Sequence, residues 1–289
     1  MKNEEKNFMI AWELLNQEKH KLALNLYASL PWNEEKFNGV ARALVELSRF
    51  KEAKKVLMKG LEEYPCSSAL WVARGNLSFH LQNYSTALKC YDRAIMLDSH
   101  SNRSTALYGK ALALENLGRI DEAVKILDSL IEQHPDDCLF LIEKAHCTLK
   151  MDNPMGALQL YSQAMDIWRR SGQFHEGLAL FTGICSACFN LNMNKEALDV
   201  AMRALKELPA HPTLFYNAGR AYSTLGMTKE AVEILKKGLE RFPKDKDLKE
   251  LLNEIDENEG VDSPDGGQEG LIMGTILLAL IAHRRHPKK

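Results

Sequence analysis

Small and apolar residues recur along this chain of 289 residues with a spacing close to 34. Seven alanines mark the period, and the gaps between them are 30, 34, 36, 34, 40 and 34 residues. Twelve residues before each alanine stands a small side chain, and four residues after it usually stands a large apolar one. The seven are Ala23, Ala53, Ala87, Ala123, Ala157, Ala197 and Ala231. A period of this length indicates a chain built from repeats of one supersecondary unit.

Each repeat is predicted to hold two antiparallel helices. Such helices lie close together only where small side chains meet at the crossing, and the two small positions of each repeat supply that contact. In two repeats the helices are separated by a Leu-Gly pair, Leu117-Gly118 and Leu225-Gly226, which gives a tight turn its backbone freedom. Prolines, which cannot continue a helix, follow four of the second helices: Pro65, Pro135, Pro209 and Pro243. One helix pair cannot bury its own apolar face, so the pairs must stack.

This combination resembles the tetratricopeptide repeat (TPR) family over most of the chain. The resemblance implies an all-α fold, a right-handed superhelical solenoid of about seven TPR helix pairs followed by a C-terminal cap helix. The seven repeats are predicted at residues 4–33, 34–67, 68–103, 104–137, 138–177, 178–211 and 212–245. The fifth repeat carries about six extra residues near 167–174, predicted as a longer second helix and a loop. An apolar stripe after residue 245, Leu248, Leu251, Leu252 and Ile255, predicts the cap helix, so the solenoid extends over 1–256.

The last 33 residues have a different composition. Residues 257–270 are acidic and rich in glycine, which predicts a flexible linker. Residues 271–289 form a short hydrophobic segment with a basic end. Its first twelve residues, 271–282, would reach roughly 18 Å as a helix, whereas the hydrocarbon core of a bilayer is about 30 Å thick. Three interpretations stay open: weak membrane association, docking on protein as an amphipathic helix, and an unstructured end.

Charge and cysteine content narrow the function classes. The net charge is −2 and the pI is about 6.5, so the chain lacks the positive field that nucleic-acid binding needs. Six cysteines are spread through helical sequence, which is typical of reduced thiols. The polar N-terminus shows no secretory signal. We expect a cytoplasmic protein, with attachment to a membrane facing the cytoplasm as the alternative.

Two local patterns suggest chemistry. Cys185 and Cys188 have the Cys-x-x-Cys spacing of redox and zinc sites, but the repeat register places both on the packed face of a helix. His146 and Cys147 are adjacent, and adjacent helical side chains point about 100° apart, so they do not face each other. We find no phosphate-binding glycine loop or other catalytic motif. The sequence therefore predicts no enzyme activity, no cofactor and no metal; a thiol redox or metal protein built on Cys185 and Cys188 is the weaker alternative.

The resemblance also implies where a partner would bind. In this family the first helix of each repeat lines a concave groove, and the residues expected to line it here are aromatic, amide and basic. They are Trp12, Asn38, Arg42, Asn76, Phe79, Tyr108, His146, Phe189, Tyr216 and Arg220. The carboxylate clamp by which some members hold chaperone C-termini does not map onto this chain, since Val72, Gly109 and Leu139 stand at its positions. We expect a protein-interaction scaffold or adaptor that binds a peptide or helix of a partner. The alternative is a membrane-tethered adaptor or assembly factor; the oligomeric state stays open.

Overall fold

The structure, a computed structural model, describes residues 2–97, 102–171 and 174–258. In these ranges the chain forms fifteen α-helices and no strand. The predicted all-α fold of seven helix pairs and one further helix is confirmed. The chain divides into two compact units, Met1–Gln133 and His134–Lys289, which are described separately below.

Unit 1 holds the first four helix pairs. Their bounds are α1 Lys2–Asn16, α2 His20–Ala28, α3 Glu34–Glu46, α4 Phe50–Glu63, α5 Ser68–His80, α6 Tyr84–Leu97, α7 Arg103–Asn116 and α8 Ile120–Gln133. Each helix packs antiparallel to the next, and α1, α3, α5 and α7 also pack against one another in sequence. The odd-numbered helices therefore form one continuous layer, on which the even-numbered helices lie as a second layer.

Unit 2 holds three further pairs and the cap helix. Their bounds are α9 Cys138–Lys150, α10 Pro154–Ser171, α11 Phe174–Asn190, α12 Asn194–Glu207, α13 Pro212–Thr224, α14 Thr228–Arg241 and α15 Lys246–Asn258. Here too the odd-numbered helices pack against one another, from α9 through α11 and α13 to α15. We name this layer, in either unit, the odd-helix face.

One boundary differs from the sequence prediction. The sixth repeat was expected to begin at residue 178, but α11 already begins at Phe174. The extra residues of the preceding repeat therefore lengthen two helices, α10 to 18 residues and α11 to 17. No proline follows α10 to end it, and the buried Trp168 packs edge-on against Phe181 of α11 with ring centroids 5.7 Å apart.

The local sequence explains where helices begin and how the two helices of a pair are connected. The side chain of Asn33 accepts a hydrogen bond from the Lys36 amide at 2.8 Å, and Ser67 caps α5 through the Leu70 amide at 3.1 Å. The turn inside each pair contains one residue with a left-handed backbone, always five positions before the repeat's alanine. These residues are Glu18, Ser48, Gln82, Gly118, Asp152, Asn192 and Gly226. The turn geometry is thus common to all seven pairs, although only two use glycine.

The core follows the predicted small positions. All seven marker alanines are buried, as are the three tyrosines that follow them by four residues, Tyr27, Tyr91 and Tyr161. Each of these rings packs against a glycine of the next repeat's first helix: Gly39, Gly109 and Gly183 respectively. A Cβ on Gly109 would lie 2.6 Å from the Tyr91 ring, which is too close for any side chain. These tyrosine–glycine contacts join successive pairs within each unit.

The predicted linker, residues 257–270, lies outside the described residues from position 259 onward. The predicted hydrophobic segment, residues 271–289, lies outside them entirely. Within the ranges that are described, no helix has both the length and the apolar character required to cross a membrane. Membrane association therefore stays a prediction from the sequence.

Candidate functional site

The residues predicted to line a groove all lie on odd-numbered helices. In unit 1, α1 contributes Trp12, whose side chain is 41% exposed. The Arg42 guanidinium of α3 lies over its ring, 4.9 Å from the centroid. A cation held over an aromatic face in this way fixes both side chains. Asn38 is half-buried and lies one helical turn before Arg42, so an indole, a guanidinium and an amide meet on one surface.

Two other predicted residues of unit 1 make contacts inside the protein. The Tyr91 hydroxyl of α6 donates a hydrogen bond to Oδ1 of the exposed Asn76 at 2.8 Å. Phe79 packs edge-on against Tyr84, with ring centroids 5.2 Å apart. Both side chains are therefore held in place by the second helix of their own pair. Tyr108, on α7, is half-buried.

In unit 2, His146 of α9 is also tied to its surroundings. Its Nδ1 lies 3.3 Å from Oε2 of Glu143, and its ring packs edge-on against Tyr161 at 5.8 Å. The side chain is half-buried rather than open. Because of these contacts, only part of the His146 ring is accessible to a binding partner.

The remaining predicted residues gather around a cavity at the C-terminal end of unit 2. Phe189 is only 8% exposed, and the Arg220 guanidinium lies over its ring, 4.2 Å from the centroid. Arg220 and the half-buried Tyr216, both on α13, line a cavity of about 370 Å³. Its walls come from α11, α13 and α15 and are formed by Thr182, Ser186, Pro212, Thr213, Tyr216, Asn217, Arg220, Asp245, Asp247, Glu250, Leu251 and Glu254.

Sequence reasoning missed the α15 wall of this cavity. The helix was predicted only as a solvating cap, yet Asp247, Glu250 and Glu254 face the cavity with Leu251. Their spacing of three and four residues places them on one helical face, a signal present in the sequence. Asn217 was missed as well, because nothing in the sequence shows that its amide is buried. The cavity therefore combines predicted groove residues with an unexpected acidic wall.

The burial and the pKa values of the cysteines do not indicate reactive thiols. All six are free thiols and only Cys66 is exposed. Burial raises the pKa of Cys188 to about 12 and also raises the pKa of Cys185, whose Sγ donates to the Ala197 carbonyl at 3.7 Å. A redox or metal-binding thiol requires a lowered pKa. Among the described residues, no three His, Cys, Asp or Glu side chains are grouped so that they would hold a metal ion.

A second buried thiol pairs with a carboxylate between helices. Cys138, at the start of α9, donates through Sγ to Oε2 of Glu176 in the first turn of α11, at 3.0 Å. Burial and this hydrogen bond raise the pKa of Cys138 to about 12. The contact links the first helices of two successive pairs in unit 2, so its role is structural.

Comparison with known proteins gives three matches to family models described as tetratricopeptide repeat, at residues 68–101, 105–137 and 192–255. Among curated proteins, the DnaJ homolog subfamily C member 7 homolog of Dictyostelium discoideum is 27% identical over 106 residues, or 36% of this chain and 20% of the relative. The chain thus spans about a fifth of that relative's length.

Solved structures share the fold at low sequence identity. One chain in the crystal structure of the APC/C hetero-tetramer Cut9–Hcn1 matches 87% of this chain with a TM-score of 0.64 and 16% identity, and 46% of that chain is covered. A tetratricopeptide repeat protein from Parabacteroides merdae matches 88% of this chain and 99% of its own length, with a TM-score of 0.63 and 15% identity. These similarities show an all-α repeat solenoid.

Proposed function

The chain belongs to the tetratricopeptide repeat family, a family of protein-interaction scaffolds, and we propose that this member is a non-catalytic adaptor. Its odd-helix face binds an extended peptide or a helix of a partner protein. We also propose a cytoplasmic location, which the free state of all six cysteines supports.

The surface around Trp12 carries this proposal. A large, half-exposed aromatic contributes apolar area at little cost in conformational entropy, and aromatic and arginine side chains dominate the energy of protein interfaces. Arg42 is held against the indole at 4.9 Å, so its position is fixed before a partner arrives. Asn38 supplies an amide that can donate to and accept from a peptide backbone.

The test compares partner capture by three forms of the tagged full chain. The first is unchanged, the second carries Trp12→Ala and Arg42→Ala, and the third carries Met58→Ala and Met96→Ala. Met58 and Met96 are 49% and 76% exposed on even-numbered helices, so they provide a matched loss of exposed side chain away from the odd-helix face. Proteins retained on the column are identified and quantified by mass spectrometry.

We expect the Trp12/Arg42 variant to lose its specific partners at least tenfold while keeping the helical circular dichroism of the unchanged chain. The Met58/Met96 variant should retain them. Equal capture by all three forms would place the binding surface elsewhere. Loss in the methionine variant alone would assign binding to the even-numbered helices.

A further inference from the structure

The cavity of unit 2 has a strongly asymmetric distribution of charge. Four carboxylates line it, from Asp245, Asp247, Glu250 and Glu254, whereas Arg220 is the single cationic lining residue. The lining therefore has a net charge of −3. Asp247, Glu250 and Glu254 form no ion pair with any described residue, and Arg220 lies over Phe189. Three carboxylates are thus left to attract a cationic guest.

A second observation on the same cavity concerns hydrogen bonding rather than charge. Asn217 of α13 lines it with only 7% of its surface exposed. Thr182 Oγ1, on the neighbouring α11, is buried without a partner among described residues. Buried polar groups in folded proteins are nearly always hydrogen-bonded. An unsatisfied hydroxyl beside unpaired carboxylates indicates a site completed by a guest with both backbone-like polar groups and positive charge.

We propose that this cavity binds a lysine- and arginine-rich peptide segment, and that its occupant is the basic end of the same chain, residues 283–289. That segment reads His283-Arg284-Arg285-His286-Pro287-Lys288-Lys289 and lies outside the described residues. Its four permanent cations complement the cavity's net charge of −3. Arginine forks and lysine ammonium groups pair with the carboxylates of α15, and the peptide backbone supplies a hydrogen-bond partner for Thr182 Oγ1. This inference is independent of the surface around Trp12, which lies in the other unit.

The chain length between cavity and segment permits binding within one molecule. The acidic wall ends at Glu254, four residues before the end of α15, and its far residue Asp247 lies about 17 Å along the helix from that end. The 24 residues from 259 to 282 separate α15 from the basic end. A chain of that length reaches about 80 Å when extended and has a root-mean-square span near 27 Å as a coil. The local concentration of the segment at the cavity is then on the order of millimolar.

Carbodiimide cross-linking of the full chain tests the proposal, because it joins a carboxylate to an amine only where the two are in contact. We expect cross-links from Lys288 or Lys289 to Asp247, Glu250 or Glu254, identified by mass spectrometry. Lys237 and Glu233 of α14, whose Nζ and Oε1 lie 2.6 Å apart, serve as the internal positive control. Finding the control cross-link without any from Lys288 or Lys289 to the cavity would overturn the proposal.

Mixing isotope-labelled and unlabelled chains separates binding within one molecule from binding between copies. We expect cross-links only within light or within heavy chains, with a yield unchanged over a hundredfold dilution. Cross-links joining light to heavy chains, with a yield that falls on dilution, would make a second copy the source of the segment and would refute binding within one molecule.

Two sets of glutamine variants test the contribution of the acidic wall. Glu250→Gln with Glu254→Gln removes two cavity charges without changing side-chain size, and Glu230→Gln with Glu240→Gln is the matched control on exposed positions of α14. We expect the remaining cross-link to Asp247 to fall at least fivefold in the cavity variant and to stay unchanged in the control. An equal fall in both would show that overall charge, not this site, attracts the segment.

A synthetic peptide of residues 283–289 supplies an independent measurement in solution. If the chain's own segment occupies the cavity, a full chain with Arg284, Arg285, Lys288 and Lys289 replaced by serine should bind the peptide about tenfold more tightly than the unchanged chain. That ratio follows from a millimolar local concentration and a dissociation constant near 0.1 mM. Equal affinities of the two chains would overturn occupation by the chain's own segment, whether or not the surface around Trp12 captures a partner.

Discussion

The Tyr91 ring packs against the backbone of Gly109 in the next repeat, so that a Cβ on that glycine would lie 2.6 Å from a ring carbon. The same relation holds between Tyr27 and Gly39 and between Tyr161 and Gly183. In each case the glycine stands fourteen positions before the alanine of its own repeat. Where the tyrosine is replaced by Leu57, the corresponding position is Ala73 rather than glycine. The size of one side chain thus sets the space left for the other.

We predict that Gly109→Ala lowers the free energy of unfolding by about 1–3 kcal/mol, because the new methyl group overpacks the buried Tyr91 ring. Tyr91→Leu in the same chain should recover part of this loss, since it reproduces the natural Leu57 and Ala73 combination. Urea denaturation of the two single variants and the double variant gives the coupling energy. Strictly additive losses would contradict direct contact between the two positions.

Two buried tyrosines differ in the partner of their hydroxyl group. Tyr91 donates to Asn76 at 2.8 Å, whereas the Tyr27 hydroxyl is buried with no partner among the described residues. Tyr91→Phe should cost about 1 kcal/mol of stability, the net value of a hydrogen bond, while Tyr27→Phe should be neutral or stabilising because it removes an unsatisfied polar atom. Thermal or urea unfolding checks both. Equal destabilisation by the two changes would show that Tyr27 has a partner in solution.

The shared left-handed turn predicts the effect of glycine at a specific position. Gln82 has a φ of 57° and its counterpart in the next repeat is Gly118 with a φ of 76°. Gln82→Gly should raise stability by up to about 1 kcal/mol, because glycine adopts this backbone without steric cost. Gly118→Ala should lower it by a similar amount. Lys89→Gly, at an exposed position inside α6, is the control and should destabilise by about 1 kcal/mol; stabilisation at both sites would point to a general effect of glycine.

The buried thiols predict a loss of stability at alkaline pH. The folded pKa of Cys138 and of Cys188 is about 12, while an unfolded thiol ionises near pH 8.5. Raised folded values mean that the stabilisation is complete below about pH 8.5 and is lost as the pH rises toward 12. At pH 9.5 each such thiol should cost about 1.4 kcal/mol relative to pH 7.

Urea denaturation at pH 7 and pH 9.5 measures this loss. Cys188→Ala should make the difference in unfolding free energy between pH 7 and pH 9.5 smaller by about 1.4 kcal/mol, whereas Cys66→Ala, at an exposed thiol, should leave it unchanged.

In the folded chain at pH 7, a thiol reagent should label Cys66 first and the five buried cysteines only on unfolding. Rapid labelling of Cys185 or Cys188 would revive the redox interpretation of their spacing.

The helix pairs could be predicted because their determinants are periodic in the sequence. The marker alanines and the small residues twelve positions earlier lie at the helix crossings, so one pattern fixes both helices of each repeat. The predicted start of α11 was wrong because no proline ends the extra segment, and because the packing of Trp168 against Phe181 depends on contacts between helices. The spacing of apolar residues indicates which face of a helix is buried, but the residues at which a helix begins and ends are set by other signals.

The candidate site was only partly accessible to sequence reasoning. The position of Trp12 and Arg42 on one face followed from the repeat register, but their contact at 4.9 Å did not. The acidic residues of α15 were read as solvating because a charged helix surface has the same pattern whether it faces water or a cavity. The burial of the Asn217 side chain depends on which residues of other helices surround it, and the sequence alone does not show those neighbours.

The tyrosine–glycine contacts determine which pieces of this chain are interchangeable. Tyr27, Tyr91 and Tyr161 lie on the second helix of one pair, and their glycines lie on the first helix of the following pair. Cutting the array between pairs would therefore separate matched partners, whereas cutting at the left-handed turns would keep them together. For shuffling or shortening this protein, each tyrosine therefore has to meet a glycine across any new junction between pairs, or the two positions have to be exchanged together for a combination such as Leu57 and Ala73.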